Sequence, residues 1–214
     1  MGWRISTDDL AAYRKLYESV SLTTDYRFNT YRRLSSLEGA SNVSLILAST
    51  ALIVVSFIVA LYSGELGRGE AYITIGQNCW PIIMLALSIM VSGAKYGARA
   101  ERIHDCAQAL NNFKKILNFK INYSGFVPSV DDFEKQATTY AEILSKYENH
   151  SKVDSNIELV RSKKIPAILN LLWEFFVSSI GRGLLYYFYL AVSITSVGWM
   201  LLGIYLAVKE VSPC

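Results

Sequence analysis

The sequence predicts an all-α integral membrane protein, because long apolar runs alternate with charged segments of helical periodicity. Of its 214 residues, 52% are hydrophobic and 18% are charged, whereas a soluble domain carries about 25% charged residues. Three runs, 39–64, 71–94 and 183–208, contain no Asp, Glu, Lys, Arg or His. Each run exceeds the roughly 20 residues that a helix needs to cross a bilayer core. We therefore predict an N-terminal transmembrane hairpin with long helical cytoplasmic extensions, followed by a third, C-terminal transmembrane helix.

We predict three parts along the chain. They are a domain at residues 1–160, an amphipathic interfacial helix at 161–182 and a third span at 183–208. The domain comprises a cytoplasmic helix at 6–38, transmembrane helices at 40–63 and 71–94, and cytoplasmic helices at 95–120 and 129–148. In the interfacial segment, Pro166 occupies a favoured first helical position, and Trp173 suits a membrane interface. A cytosolic extension of the third span is the alternative interpretation.

The distribution of basic residues predicts the orientation in the membrane. Six Lys and Arg residues precede the first span, one lies between the first two spans, thirteen lie in 95–182, and one follows the third span. Cytoplasmic loops carry the excess of Lys and Arg. The N-terminus and the 95–182 segment are therefore predicted to be cytoplasmic, with the C-terminus on the opposite side. Because the net charge is only +3 and no basic patch is interleaved with aromatic residues, direct nucleic-acid binding is not expected.

Three predicted cytoplasmic helices carry apolar side chains at three-four spacing, which is typical of helices that bury one narrow face. The first could be broken near 21–25, and the Gly and Pro of 122–129 separate the second from the third. The seams are Leu10, Tyr13, Tyr17, Val20, Phe28, Tyr31 and Leu34; Ile103, Cys106, Leu110, Phe113 and Leu117; and Val130, Phe133, Ala137, Tyr140, Leu144 and Tyr147. They can pack against one another or against neighbouring subunits, and the sequence leaves both open.

The residue pattern argues against an enzyme. There is no GxSxG elbow, no Gly-rich phosphate loop, no metal-spaced His/Cys cluster and no carboxylate pair at membrane depth. The cysteines, Cys79, Cys106 and Cys214, form no CxxC pair, so neither a zinc site nor a disulfide framework is predicted. No cofactor is expected.

The segment KYENHSKVD contains one of the two histidines, and its Asn149 and His150 follow the last apolar residue of a helical seam. An Asn can close a helix in the left-handed conformation, and a His cation suits the helix's negative end. A role in subunit contact or in sensing a trigger is the functional alternative. The other histidine, His104, is predicted to be a solvated helix residue.

Two membrane helices with a helical extension, followed by Tyr147, Asn149, His150 and Asp154, resemble the SLATT family (SMODS and SLOG-associating two-transmembrane effectors). The third span departs from the two-span pattern. The resemblance implies a bacterial defence effector in the inner membrane, encoded beside a nucleotide-signal synthase, a nucleotide sensor or a reverse transcriptase, that damages the membrane when triggered.

Polar and small side chains also form stripes on the first two predicted spans. The stripes are Asn42, Ser49, Ser56 and Ser63 on the first span, and Gln77, Pro81, Ser88 and Ser92 on the second. Such stripes form seams between membrane helices, or they line a weakly polar lumen. Because three spans are too few to enclose a channel, a lumen would require a homo-oligomer in the lipid bilayer, and we expect it to assemble through the cytoplasmic helices. The competing function is a membrane adaptor that only anchors a cytoplasmic partner.

Overall fold

The structure is a computed structural model that describes residues 7–62, 69–147 and 183–211. Within these ranges it contains five α-helices and no β-strand, which confirms the all-α fold class. The helices are α1 (Thr7–Leu61), α2 (Gly69–Ala94), α3 (Tyr96–Asn122), α4 (Val130–Ser145) and α5 (Leu184–Val211). By length and composition, α1, the α2 and α3 segment, and α5 each contain a stretch able to cross a membrane. The predicted interfacial helix at 161–182 lies outside the described residues.

The first helix, α1, runs for 55 residues without interruption. The predicted cytoplasmic helix and first span are thus parts of one helix, and no break occurs at 21–25. Thr23 and Thr24 lie in that stretch, and their hydroxyls donate to carbonyl oxygens four residues earlier, at 2.8 and 2.7 Å. Because each hydroxyl is satisfied by its own helix, these residues do not interrupt α1.

The turn between α3 and α4 is fixed by a helix cap. Ser129 has extended backbone geometry, and its side-chain oxygen accepts a hydrogen bond from the Asp132 N–H. Such a cap satisfies an N–H group that has no partner inside the helix. Asp131 and Asp132 also place negative charge in the first turn of α4, where the helix dipole favours it.

The chain divides into two compact units. After their predicted locations, we call Met1–Leu34 with Gly97–Gly181 the extramembrane unit, and Ser35–Tyr96 with Arg182–Cys214 the membrane unit. The extramembrane core is built from Tyr13, Val20, Phe113 and Leu117, with Leu16, Tyr17, Ile121, Phe126, Phe133, Tyr140 and Ile143 packed against it. Seam residues of α1, α3 and α4 thus pack against one another within a single chain.

A strained residue separates α2 from α3. Lys95 has φ of 48°, and among the described residues it is the one non-glycine with a positive φ. This left-handed conformation costs an ordinary residue about 1 to 2 kcal/mol and costs glycine much less.

We therefore expect Lys95→Gly to raise the free energy of unfolding by up to about 1 kcal/mol, part of the gain being offset by the greater chain entropy of glycine. The measurement is reversible unfolding in mixed detergent micelles. Lys95→Ala is the matched control, because it removes the charge and keeps the strain. Equal stability of both variants and the parent protein would contradict the strain at this position.

Candidate functional site

In the membrane unit, α1 buries a face made mostly of small side chains. The buried positions follow steps of three and four residues: Ser41, Ser44, Ala48, Ala51 and Val55. This spacing keeps one face turned toward a partner helix, and small side chains let membrane helices approach closely. The Ser44 hydroxyl donates to the Tyr189 carbonyl oxygen at 2.6 Å, and the Ser193 hydroxyl oxygen lies 2.9 Å from that of Ser44. Hydrogen bonds thus join α1 to α5 along this face.

A second contact in the membrane unit joins α2 to α5. Val55, Ile73 and Ala207 form a buried cluster, with Trp199 packed against it. The Trp199 indole covers Gly76 so closely that a Cβ added at Gly76 would lie 2.6 Å from the indole nitrogen. Because real Cβ atoms do not approach other atoms this closely, this contact between Gly76 and Trp199 requires glycine at position 76.

The structure places the predicted first-span stripe beside the buried face of α1. Asn42 is exposed. Ser49 is half-buried and donates to the carbonyl oxygen of Leu45 in its own helix, at 2.7 Å. Ser56 is half-buried and accepts a hydrogen bond from the Gln77 side-chain amide at 3.1 Å. Ser63 lies outside the described residues.

On α2, the predicted stripe is mostly turned away from the rest of the chain. Gln77 is half-buried, while Pro81, Ser88 and Ser92 are exposed. Ser56 and Gln77 are therefore the two predicted stripe residues that the structure joins by a hydrogen bond. The wider outer surface of α2 is strongly apolar, with Tyr72, Ile75, Ile82, Ile83, Leu85, Ile89 and Met90 exposed. A surface of this kind suits lipid or another membrane helix.

In the extramembrane unit, a polar network fixes α4 to α1 and α3. Asp132 accepts hydrogen bonds from the Lys120 ammonium at 2.7 and 2.8 Å and from the Tyr13 hydroxyl at 2.8 Å. The Gln136 amide donates to the same carboxylate at 3.2 Å. The Tyr13 ring also meets Phe126 and Phe133 edge-on, with centroids 5.2 and 5.4 Å apart. One carboxylate thus joins side chains from three helices.

These contacts, together with burial, shift the pKa values of three side chains in the extramembrane unit. The hydrogen bond from Lys120 is the main cause that holds the pKa of Asp132 below its ordinary value of 3.8. Burial, aided by the hydrogen bond to Asp132, raises the pKa of the Tyr13 phenol, so this phenol stays protonated and donates. Burial also raises the pKa of the Cys106 thiol, although the positive charge of Arg27 opposes that shift. Cys106 is therefore not an activated thiolate at neutral pH.

We expect Asp132→Ala to lower the free energy of unfolding by about 1.5 to 3 kcal/mol, because three donors lose a charged acceptor. Since folding lowers the Asp132 pKa, its contribution is complete above the unfolded value near 3.8 and is lost as pH falls through the folded value. Unfolding measured between pH 6 and about pH 2 checks both statements. Asp131→Ala, the exposed neighbour in the same helical turn, is the control; equal losses in the two variants would contradict the network.

The predicted motif lies only partly within the described residues. Tyr147 is half-buried just after α4, and its N–H donates to the Leu144 carbonyl oxygen at 3.3 Å. Asn149, His150 and Asp154 lie outside the described residues, so their assignment stays a prediction.

The prediction of a solvated His104 was wrong. The side chain is half-buried, its ring centroid lies 4.5 Å from that of Tyr31, and its Nε2 is 2.8 Å from the Gln108 amide nitrogen. Its position on α3 turns it toward the aromatic side of α1, which the spacing along α3 alone did not indicate.

Sequence reasoning missed several residues that hold the helices together, notably Ser44, Gly76 and Trp199. A signal for Ser44 was present, because Ser41, Ser44, Ala48, Ala51 and Val55 have the step pattern of a packed seam. No comparable signal marked Gly76, since it meets Trp199 from a distant part of the chain. Within the ranges that the structure describes, no group of three or more His, Cys, Asp or Glu residues could hold a metal ion.

The comparisons with known proteins agree with this architecture. The model of the family described as SMODS and SLOG-associating 2TM effector domain family 5 matches residues 10–204. The matched range begins in α1 and ends within α5, so it includes most of the third candidate span. No curated protein and no solved structure matches the chain.

Proposed function

Because the chain belongs to the SMODS and SLOG-associating 2TM effector family 5, we propose that it is a membrane effector of a bacterial antiphage or conflict system that oligomerises and permeabilises the inner membrane when triggered. The charge distribution favours a cytoplasmic N-terminus and 95–182 segment, with a periplasmic C-terminus. Its trigger would come from a genomically linked nucleotide-signal synthase, nucleotide sensor or reverse transcriptase.

The continuity of α1 is the observation that supports this proposal most. One unbroken helix carries Tyr13 and Val20 in the extramembrane core and Ser44 and Val55 in the membrane unit. Along the chain, therefore, no loop separates the α1 residues of the extramembrane core from those of the predicted first span.

Permeabilisation also requires surface that remains available for other subunits. In each candidate span, only a small share of the most hydrophobic 18 residues is buried within the chain: 22%, 11% and 17% in chain order.

The described parts of the three spans also lack charge, with no Asp, Glu, Lys or Arg between residues 40 and 62, 71 and 94, or 184 and 208. An assembled opening would thus lack a charged selectivity ring and would favour ion leakage over selective transport.

The second candidate function is an adaptor that anchors a cytoplasmic partner without opening the membrane. The packed face of α1 favours it, because Ser44 and its small neighbours are already used within one chain. In that case the spans would serve as a fixed anchor.

Membrane potential separates the two functions. The chain is expressed under tight control, alone and with its genomic neighbour, and a voltage-sensitive dye reports the potential. We expect depolarisation when the neighbour is active, with a loss of response in His150→Ala and an unchanged response in Asn112→Ala, an exposed control on α3. A steady potential despite confirmed membrane insertion would reject the permeabilising effector in favour of the adaptor.

A further inference from the structure

Five large apolar side chains are exposed where α3 ends and α4 begins. They are Ile116, Phe119, Tyr123, Val127 and Val130, with exposed fractions of 53%, 67%, 56%, 66% and 70%. We call these five residues the turn patch. In the part of the extramembrane unit that the structure describes, Leu22 is the one other large hydrophobic side chain exposed to a comparable degree. Apolar exposure is thus concentrated in a 15-residue stretch, which is typical of a binding surface.

Local packing holds the turn patch outward. The Phe119 and Tyr123 rings stack with centroids 5.5 Å apart. Gly125 lies against the Tyr123 ring, where an added Cβ would be 2.8 Å from a ring carbon. Phe126 turns the other way and meets the buried Tyr13 ring. The turn therefore has an inner aromatic anchor and an ordered outer apolar surface.

The cytoplasmic seams do not account for an oligomer, because they are used within the chain. Phe113 and Leu117 of α3 are buried with Tyr13 and Val20 of α1, and Phe133 and Tyr140 of α4 pack on the same cluster. A contact between extramembrane units must therefore use other residues. The turn patch offers on the order of 500 Å² of exposed apolar surface, a large part of the about 800 Å² that each partner contributes to a standard interface.

Charges of opposite sign flank the turn patch. Lys115 is exposed on α3, four residues before Phe119 and therefore on the same side of the helix. Glu134 is exposed on α4, four residues after Val130. In a two-fold contact each patch meets its own copy, so that a residue at one border of the patch meets a residue at the opposite border of the other copy. A patch with a basic border and an acidic border is complementary to itself in that arrangement.

We propose that the turn patch is a homotypic contact between two copies of this chain, with Phe119 and Tyr123 at its centre and Lys115 of each copy facing Glu134 of the other. The proposal rests on the oligomerisation included in the proposed function. It assigns that association to the α3 and α4 turn instead of the helical seams.

The first test measures the mass of the full-length chain by light scattering in lipid nanodiscs and by chemical cross-linking in isolated membranes. We expect Phe119→Asp to weaken association about tenfold or more, as for the loss of a central interface aromatic. Leu22→Asp is the control, because it places the same charge on an exposed site outside the turn patch. An unchanged mass in Phe119→Asp, or a parent protein that is monomeric in both measurements, would overturn the proposal.

Charge reversal tests the arrangement itself. Lys115→Glu and Glu134→Lys should each weaken association, and the double variant should restore it, because the facing pair is rebuilt with opposite signs. Failure of the double variant to recover would overturn the assigned pairing.

These mass measurements are independent of the membrane-potential test. If the parent protein depolarises cells and Phe119→Asp remains oligomeric, the homotypic contact is wrong while the proposed function stands. If Phe119→Asp is monomeric and the parent leaves the potential unchanged, the contact stands and the permeabilising function is wrong.

Discussion

Leu110→Glu is expected to lower the free energy of unfolding of the extramembrane unit by about 2 to 5 kcal/mol, because it places a carboxylate where a leucine is fully buried. Leu110 is 0% exposed on α3, one turn from the equally buried Cys106. The substitution both removes apolar packing and introduces a charge without a partner. An effect of this size is a large part of the stability of a small unit.

Cys106 supplies a direct measurement, because its thiol is buried and reacts only when the unit opens. With Cys79 and Cys214 replaced by Ser, the rate of Cys106 alkylation reports that opening. A loss of 2 kcal/mol corresponds to labelling that is about thirtyfold faster. Leu22→Glu is the matched control, since this leucine is 49% exposed on α1. Slow labelling in Leu110→Glu would show that α3 does not bury this position.

The length of the uncharged apolar runs was sufficient to predict the three candidate spans, and helical periodicity was sufficient to predict much of the extramembrane core. Tyr13, Val20, Phe113 and Leu117 were all predicted seam residues, and the structure buries all four. Periodicity is informative here because a charged helix with one apolar stripe can bury that stripe in only one orientation about its axis. The choice between intramolecular and intermolecular burial depended on the chain's path, which periodicity does not describe.

In the spans the same reasoning is weaker, because almost every side chain is apolar and several helix faces contain small polar residues. The Asn42 and Ser49 stripe and the Ser41 and Ser44 face lie about a third of a turn apart around α1, because successive helical residues are rotated by about 100°. The position of α5 decides between them, and Ser44 meets Tyr189 across 145 residues of sequence. The Asp132 network is similar, since Tyr13 and Asp132 are 119 residues apart. Nothing local to either residue indicates that contact.

Gly76→Ala is expected to destabilise the membrane unit by about 1 to 3 kcal/mol, the usual cost of forcing an extra carbon into a packed site. The added Cβ would lie within 3 Å of three atoms of the Trp199 indole. That ring is a rigid body, so either its rotamer or the separation of α2 and α5 must change. The free energy of unfolding in mixed detergent micelles measures the effect.

Gly198→Ala is the control for Gly76→Ala, because it adds the same carbon at a position where no atom lies within 4 Å apart from its chain neighbours and the backbone of its own helix. It should leave stability unchanged or slightly raised, since alanine favours helix more than glycine does. The clash itself is isolated by adding Trp199→Leu to Gly76→Ala. If the indole causes the loss, the double variant should cost less than the sum of the single changes. Additive losses would instead mean that position 76 is sensitive for a reason other than its contact with Trp199, and the close approach of α2 and α5 there would lose its support.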